Sequence, residues 1–242
     1  MLADTLRSLA GVRFKDERGN DQVVTLEPPA TEAELRALEA RLPCPIPDDI
    51  REALRVSKGL ADGPIDPFSL VDLEGFGLEE MLPYGHSIGH DGSGNFWVLD
   101  LLTTTTVWQP VFYACHDPPV LAYQSATIED FLRDIVAMGQ PGPRSAVDIV
   151  HDDVVMEIWK TNPNVLTPQS LLASSDPVMQ AFASSLPTSA CVVDLRHPQL
   201  GQGFSWGRFG SETTIQRAGE ERIWAIIPPK RKPGLFANIF GG

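Results

Sequence analysis

Apolar and polar positions along this chain follow two periods, and the period changes at punctuating residues. Leu35, Leu38 and Leu42 recur with Glu and Arg between them, the spacing of one apolar face on an α-helix. The run is entered through Pro28-Pro29-Ala30 and Thr31-Glu32-Ala33-Glu34, where Thr31 is placed to cap a helix and Glu34 to reach back to it. Pro43-Cys44-Pro45 closes it. A second helix is predicted from Pro47, whose fixed φ suits a first turn, with Asp48 and Asp49 complementing the helix dipole. Ile50, Ala53 and Leu54 make its buried stripe, and Gly59 is expected to end it as a C-cap glycine.

A stretch rich in Gly and acid follows and reads as loops. Asn95–Leu101 then reads as a buried strand and Val107–Ala114 as a second, in which Pro110 implies an edge or a bulge. Val120–Tyr123 is a third strand, and Thr127 opens a closing helix with Ile128, Phe131, Leu132 and Ile135 on its apolar face. The turn-rich segment Gln140-Pro141-Gly142-Pro143-Arg144-Ser145 marks a boundary, giving two modules, 1–140 and 145–242. In the second, a helix over Val147–Lys160 and helical pieces over Pro168–Ala173 and Pro177–Ser185 precede three strands. These are Ala190–Leu195, Thr213–Gln216 and Arg222–Ile227, the last two joined by a turn at Gly219. The fold class is α+β: helices on a small, mostly antiparallel sheet, with a C-terminal α+β extension or second small domain.

Composition adds where such a protein works. A chain of 242 residues buries a core without disulfides or metals to staple it. Cys44, Cys115 and Cys191 are odd in number and widely spaced, as expected of reduced thiols in a cytoplasm. Met1-Leu2-Ala3-Asp4 does not open a signal peptide, and no apolar run is long enough for a membrane helix. The formal net charge of −13 makes free nucleic acid and anionic membranes poor partners.

That charge is unevenly placed. Residues 1–140 hold 10 basic and 23 acidic residues, whereas residues 141–242 hold 9 of each. No Lys or Arg occurs between Lys58 and Arg133, a stretch containing Asp62, Asp66, Asp72, Glu74, Glu79, Glu80, Asp91, Asp100, Asp117, Glu129 and Asp130. Such a stretch steers a basic partner, or simply solubilises the surface. Both readings stand on charge alone.

The order of signals over residues 28–138 resembles the SMI1/KNR4 superfamily, also called SUKH. The likeness is carried by Ala30-Thr31-Glu32-Ala33-Glu34-Leu35, Leu38-Glu39, Leu42, Ile46-Pro47-Asp48-Asp49-Ile50 through Leu54, and Gly59. It continues in Asp91-Gly92-Ser93-Gly94-Asn95 running into Phe96–Leu101, in His116-Asp117, and in Ala126–Leu132. Pro43-Cys44-Pro45, Ala53 and about a hundred C-terminal residues depart from the family pattern. The resemblance implies a SUKH-like binding module, not an enzyme, with no cofactor and no metal. Bacterial members look like immunity proteins that neutralise a cognate toxin, often a nuclease or deaminase, and fungal members are regulatory scaffolds. Beside this, the acid stretch reads as the complement of a basic toxin surface.

Three constellations in the chain carry catalytic or metal-binding residue types. Gly203-Phe204-Ser205-Trp206-Gly207 matches the nucleophile-elbow pattern, but none of His86, His90, His116, His151 and His197 follows Ser205, so a glycine/aromatic hairpin loop is expected there. His86, His90 and Asp91, and likewise Cys115-His116-Asp117, carry metal-ligand chemistry, yet Gly85, Gly89, Gly92 and Gly94 deny them a helix face. Asp91 and Asn95 are expected to make turn hydrogen bonds instead. Lys230-Arg231-Lys232 is too short a basic run for nucleic-acid binding. Alternation divides the aromatics of 96–101 and 108–113 between two faces, and Phe76 and Tyr84 are the aromatics expected to meet a partner. The expected partner surface is therefore Asp62, Asp66, Asp72, Glu74, Phe76, Glu79, Glu80, Tyr84 and Asp91. A non-catalytic scaffold for a cellular protein is the alternative, and a metal enzyme through His86, His90 and Asp91 comes third.

Overall fold

The computed structural model describes residues 1–16, 18–65, 67–71, 75–104, 106–138, 140 and 142–230. Helix α1 (Leu2–Leu9) leads into the hairpin β1 (Arg13–Lys15) and β2 (Asp21–Val23), then β3 (Thr25–Leu26), α2 (Glu32–Glu39) and α3 (Asp48–Leu54). Strands β4 (Gly59–Asp62), β5 (Phe68–Ser69), β6 (Gly85–His90), β7 (Phe96–Asp100), β8 (Val111–His116) and β9 (Pro119–Ser125) follow, closed by α4 (Ile128–Ala137). Helix α5 (Ala146–Ile149) passes through a π-helical turn (Val150–Val154) into α6 (Val155–Thr161). Last come α7 (Pro168–Leu172), α8 (Pro177–Ser184), β10 (Cys191–Asp194), β11 (Gly203–Ser205), β12 (Thr214–Arg217) and β13 (Ile223–Ile227). The architecture is α+β, as the pattern predicts.

Two helices start as the sequence dictates. Glu34 N–H donates to Thr31 Oγ1 at 3.2 Å, and Glu34 Oε2 accepts from Thr31 N–H at 2.7 Å, a complete capping box. The Thr31 backbone N–H, then Lys58 and the Thr31 hydroxyl, hold the Glu34 carboxyl down to about 2. Thr127 caps α4 by accepting from Asp130 N–H at 3.0 Å.

Antiparallel pairing runs through an eight-stranded sheet in the order β11-β9-β8-β7-β6-β5-β4-β3. Its side chains alternate between two cores. Trp97, Leu99, Val111, Tyr113, Val120 and Ala122 join the face covered by α1 to α6, with Leu6, Leu38, Leu54, Phe131 and Ile158. Val98, Phe112, Ala114 and Leu121 join the other face, which packs on a three-stranded sheet of order β10-β13-β12 through Val193, Trp224 and Ile226. That small sheet alternates as well: Val192, Ile223 and Ala225 point away from this interface into a third cluster with Leu171 of α7 and Phe182 of α8. The result is a layered stack of helices, large sheet, small sheet and helices.

Several expectations are corrected. Gly59 does not cap α3, which ends at Leu54; it opens β4, where an added Cβ would stand 2.0 Å from the Phe68 carbonyl oxygen of the neighbouring strand. The Gly- and acid-rich stretch holds strands β4, β5 and β6, because its glycines serve close strand approach as well as turns. Pro110 precedes β8, which is interior, not an edge; the bulge alternative holds, since the register with β9 shifts between Val111 and Phe112. Residues 203–205 are a strand on β9, not a hairpin loop, and Ser205 is wholly buried.

Candidate partner-binding surface

The acids that the sequence singles out meet different fates. Asp66, Asp72 and Glu74 lie outside the described residues. Asp62 is exposed at the end of β4 and accepts from Thr25 Oγ1, its register partner on β3. Asp91 is half-buried and accepts from Ser93 N–H (2.9 Å), Asn95 N–H (3.2 Å), Asn95 Nδ2 (2.6 Å) and the Tyr113 hydroxyl (3.0 Å). Burial acts to raise its pKa, but these hydrogen bonds outweigh it and hold the carboxyl below its ordinary value. Asp91 therefore organises the β6–β7 turn, with Asn95 Oδ1 in turn accepting from His116 N–H at 2.9 Å. Burial first, and then the Asp91 charge, pushes the Tyr113 phenol upward.

Further acids of the cation-free stretch are occupied. Asp100 is completely buried between Arg217, which donates to both its oxygens at 2.8 Å, and Arg222, whose Nε donates at 3.0 Å. Asp130 pairs with Arg133 at 3.2 Å, and Glu129 stands 3.7 Å from the N-terminal amine.

Glu79 and Glu80 differ from these. Both are exposed. Glu79 uses only Oε1, which accepts from Phe76 N–H (2.9 Å) and Gly77 N–H (3.3 Å). Glu80 has neither a hydrogen bond nor an ion pair among the described residues. The pair lines a cavity of about 660 Å³ together with Met81, His116, Pro119, and Trp206, Gly207, Gly210, Ser211, Thr213 and Ile215 of the C-terminal part. No Lys or Arg is among its described lining residues.

The two aromatics divide. Tyr84 is half-buried and, with Glu79, lines a smaller cavity of about 210 Å³. Phe76 is 7 % exposed and packs with Met81 and Leu82 in the core between the sheets, so burial removes it from the surface where a contact was expected. Asp91 belongs to a separate cavity of about 660 Å³ on the helical side, lined also by Phe14, Trp97, His90 and His151. The predicted set thus spans more than one cavity.

Trp206 and the loop after it escape sequence reasoning. The signal was present as an indole among Gly203, Gly207 and Gly210, but a pattern weighed for a serine nucleophile does not show which sheet it borders. His86, weighed as a metal ligand, is 2 % exposed and its Nε2 donates to the Leu70 carbonyl at 3.1 Å. His90 uses Nδ1 to accept from Gly92 N–H at 3.1 Å. Among the described residues, no group of three or more His, Cys, Asp or Glu side chains is placed to hold a metal ion, and no helix is long and apolar enough to cross a membrane.

Comparison with protein families finds that the model of the SMI1 / KNR4 family (SUKH-1) matches residues 29–134. No curated protein and no solved structure matches the chain.

Proposed function

We propose, on the premise that residues 29–134 belong to the SMI1/KNR4 family (SUKH-1), a family of immunity proteins, that this protein binds a cognate bacterial toxin and occludes its working surface. The family membership carries the reading. The mechanism is stoichiometric binding without catalysis, in the cytoplasm that the toxin attacks. The net charge of −13 makes the partner basic, as a nuclease, deaminase or similar effector acting on nucleic acid must be near its substrate cleft.

In this reading residues 1–140 are the family domain and residues 145–242 an appended α+β part. The contact surface runs over residues 62–91 and includes Glu79, Glu80, Tyr84 and Asp62, with Asp66, Asp72 and Glu74 of the same stretch of sequence adding to its negative charge. Unpaired exposed carboxylates set association rate and partner choice more than affinity. Asp91 supports the surface by fixing the β6–β7 turn.

The test is capture of the partner by the full-length chain from its native cell, with mass-spectrometric identification, followed by binding measurements on the purified pair. One basic, toxic protein at one-to-one stoichiometry is expected. Glu79→Lys/Glu80→Lys is expected to weaken binding about tenfold and to flatten its salt dependence. A non-toxic housekeeping partner, or an affinity and salt slope unchanged by the charge swap, overturns the proposal.

A further inference from the structure

We propose that the C-terminal part of the chain completes this cleft, and that the cleft takes an arginine side chain presented by a basic loop of the partner protein. The choice of a protein partner rests on the immunity reading; the choice of side chain rests on the geometry.

The cleft is a joint construction. Glu79 and Glu80 come from the family segment, while Trp206, Gly207, Gly210, Ser211, Thr213 and Ile215 come from the C-terminal part. The two walls are pinned together: Trp206 N–H donates to the Pro119 carbonyl at 3.0 Å. At Gly207, an added Cβ would stand 2.4 Å from Pro119 Cγ, so glycine is required for the loop to approach this closely.

The chemistry of the walls selects the occupant. Two exposed carboxylates line the cleft, no lysine or arginine is among its described lining residues, and nearby Arg208 donates to the Trp159 and Lys160 carbonyls. Glu80 makes no hydrogen bond or ion pair among the described residues. Beside them is the half-buried indole of Trp206, whose Nε1–H has no acceptor among the described residues. Turning the ring toward an occupant therefore breaks no side-chain hydrogen bond among the described residues. A guanidinium is planar and weakly hydrated, stacks on an indole and pairs with carboxylates through two N–H groups at once. A lysine ammonium matches the charge but not the stacking. The fold already contains this combination in its interior, where Arg217 lies 4.9 Å above the Trp224 ring and pairs with both oxygens of Asp100. A cavity of about 660 Å³ accommodates an arginine with its flanking backbone.

The test is a titration of the ¹⁵N-labelled full chain, which has five tryptophans, with the peptide Gly-Arg-Gly-Arg-Gly and its lysine counterpart. The Trp206 indole N–H signal is assigned through Trp206→Phe. It is expected to move on titration, with the arginine peptide binding about fivefold more tightly than the lysine one, and with the response lost in Glu79→Gln/Glu80→Gln. A Trp206 signal unmoved at millimolar peptide, or moving equally in the Gln variant, overturns the inference. The two proposals fail separately. A peptide-responsive Trp206 with partner affinity unchanged by the charge swap keeps the cleft and sinks the immunity surface. A charge swap that weakens the partner while Trp206 stays silent does the reverse.

Discussion

The two faces of the eight-stranded sheet are covered by different means. Helices α1 to α6 cover one, with apolar stripes such as Leu35/Leu38 and Phe131/Leu132/Ile135 in one buried cluster with Trp97, Leu99 and Val111. The small sheet covers the other, and there the contact is keyed by polar groups. Asp100 joins Arg217 and Arg222 across the interface, Arg217 stacks on Trp224, and Trp224 Nε1 donates to the Met81 carbonyl at 3.0 Å. Apolar burial is non-directional and tolerates sliding, whereas a bidentate ion pair in a buried interface has one geometry. The helical face thus supplies bulk burial, and the sheet–sheet face fixes how the C-terminal part sits against Glu79 and Glu80.

The sharpest way to break this contrast is Asp100→Ala. It leaves two guanidinium groups in the interface without their carboxylate and is expected to lower stability by about 4 kcal/mol, read from urea unfolding. Replacing all three side chains with apolar ones of similar volume, Asp100→Leu/Arg217→Met/Arg222→Met, is expected to restore most of that loss while relaxing the position of the 206–215 loop. A single variant as stable as the parent would show that the ion pairs do not key the interface.

The helical face has its own buried polar group, and it responds to acid. His86 stands opposite Leu99 on that face, packed on Trp108 with ring centroids 5.0 Å apart. Burial chiefly, and Arg41 nearby in addition, lowers its pKa from 6.5 to about 4. The unfolded chain therefore binds this proton more readily than the folded one. The stability from the neutral ring is fully present above about pH 6.5 and is lost as pH falls toward 4, a difference of about 3 kcal/mol. Urea unfolding at pH 7, 5 and 4 is expected to show this loss in the parent and a flatter profile in His86→Phe. Equal slopes in both proteins would place the acid sensitivity elsewhere.

The smallest effect belongs to local structure on the helical side. Thr31→Ala removes the hydroxyl that accepts from Glu34 N–H and is expected to lower stability by about 1 kcal/mol without touching the sheet–sheet face. Partner binding and the Trp206 indole signal should be unchanged, and a change in either would mean that the two faces are coupled.

What was legible in the residues follows the range of the forces involved. The helix starts at Thr31 and Thr127, the stripes behind them, and the strands near 96–101 and 120–123 all follow from contacts within a few positions, so periodicity and capping chemistry reveal them. Strands β4 to β6 were not legible, because Gly59 and Gly89 report how closely another strand approaches, and that neighbour is not written beside them. The candidate surface divides in the same way. That residues 59–132 carry acids and no cations was visible directly. Which acids remain unpaired was not, since Asp100 is neutralised by Arg217 and Arg222, more than a hundred positions away.

By itself, then, the chain's sequence determined an α+β fold with a SUKH-like segment, its capped helices and a negative charge concentrated in the first 140 residues, because propensity, periodicity and composition act locally or sum over residues. Only the tertiary structure decided that Phe76 is core, that Asp91 holds a turn, and that Glu79 and Glu80 line one cavity with Trp206. Burial and charge pairing depend on which distant segments meet, and here that meeting is made by β11 on β9 and by the small sheet on the second face.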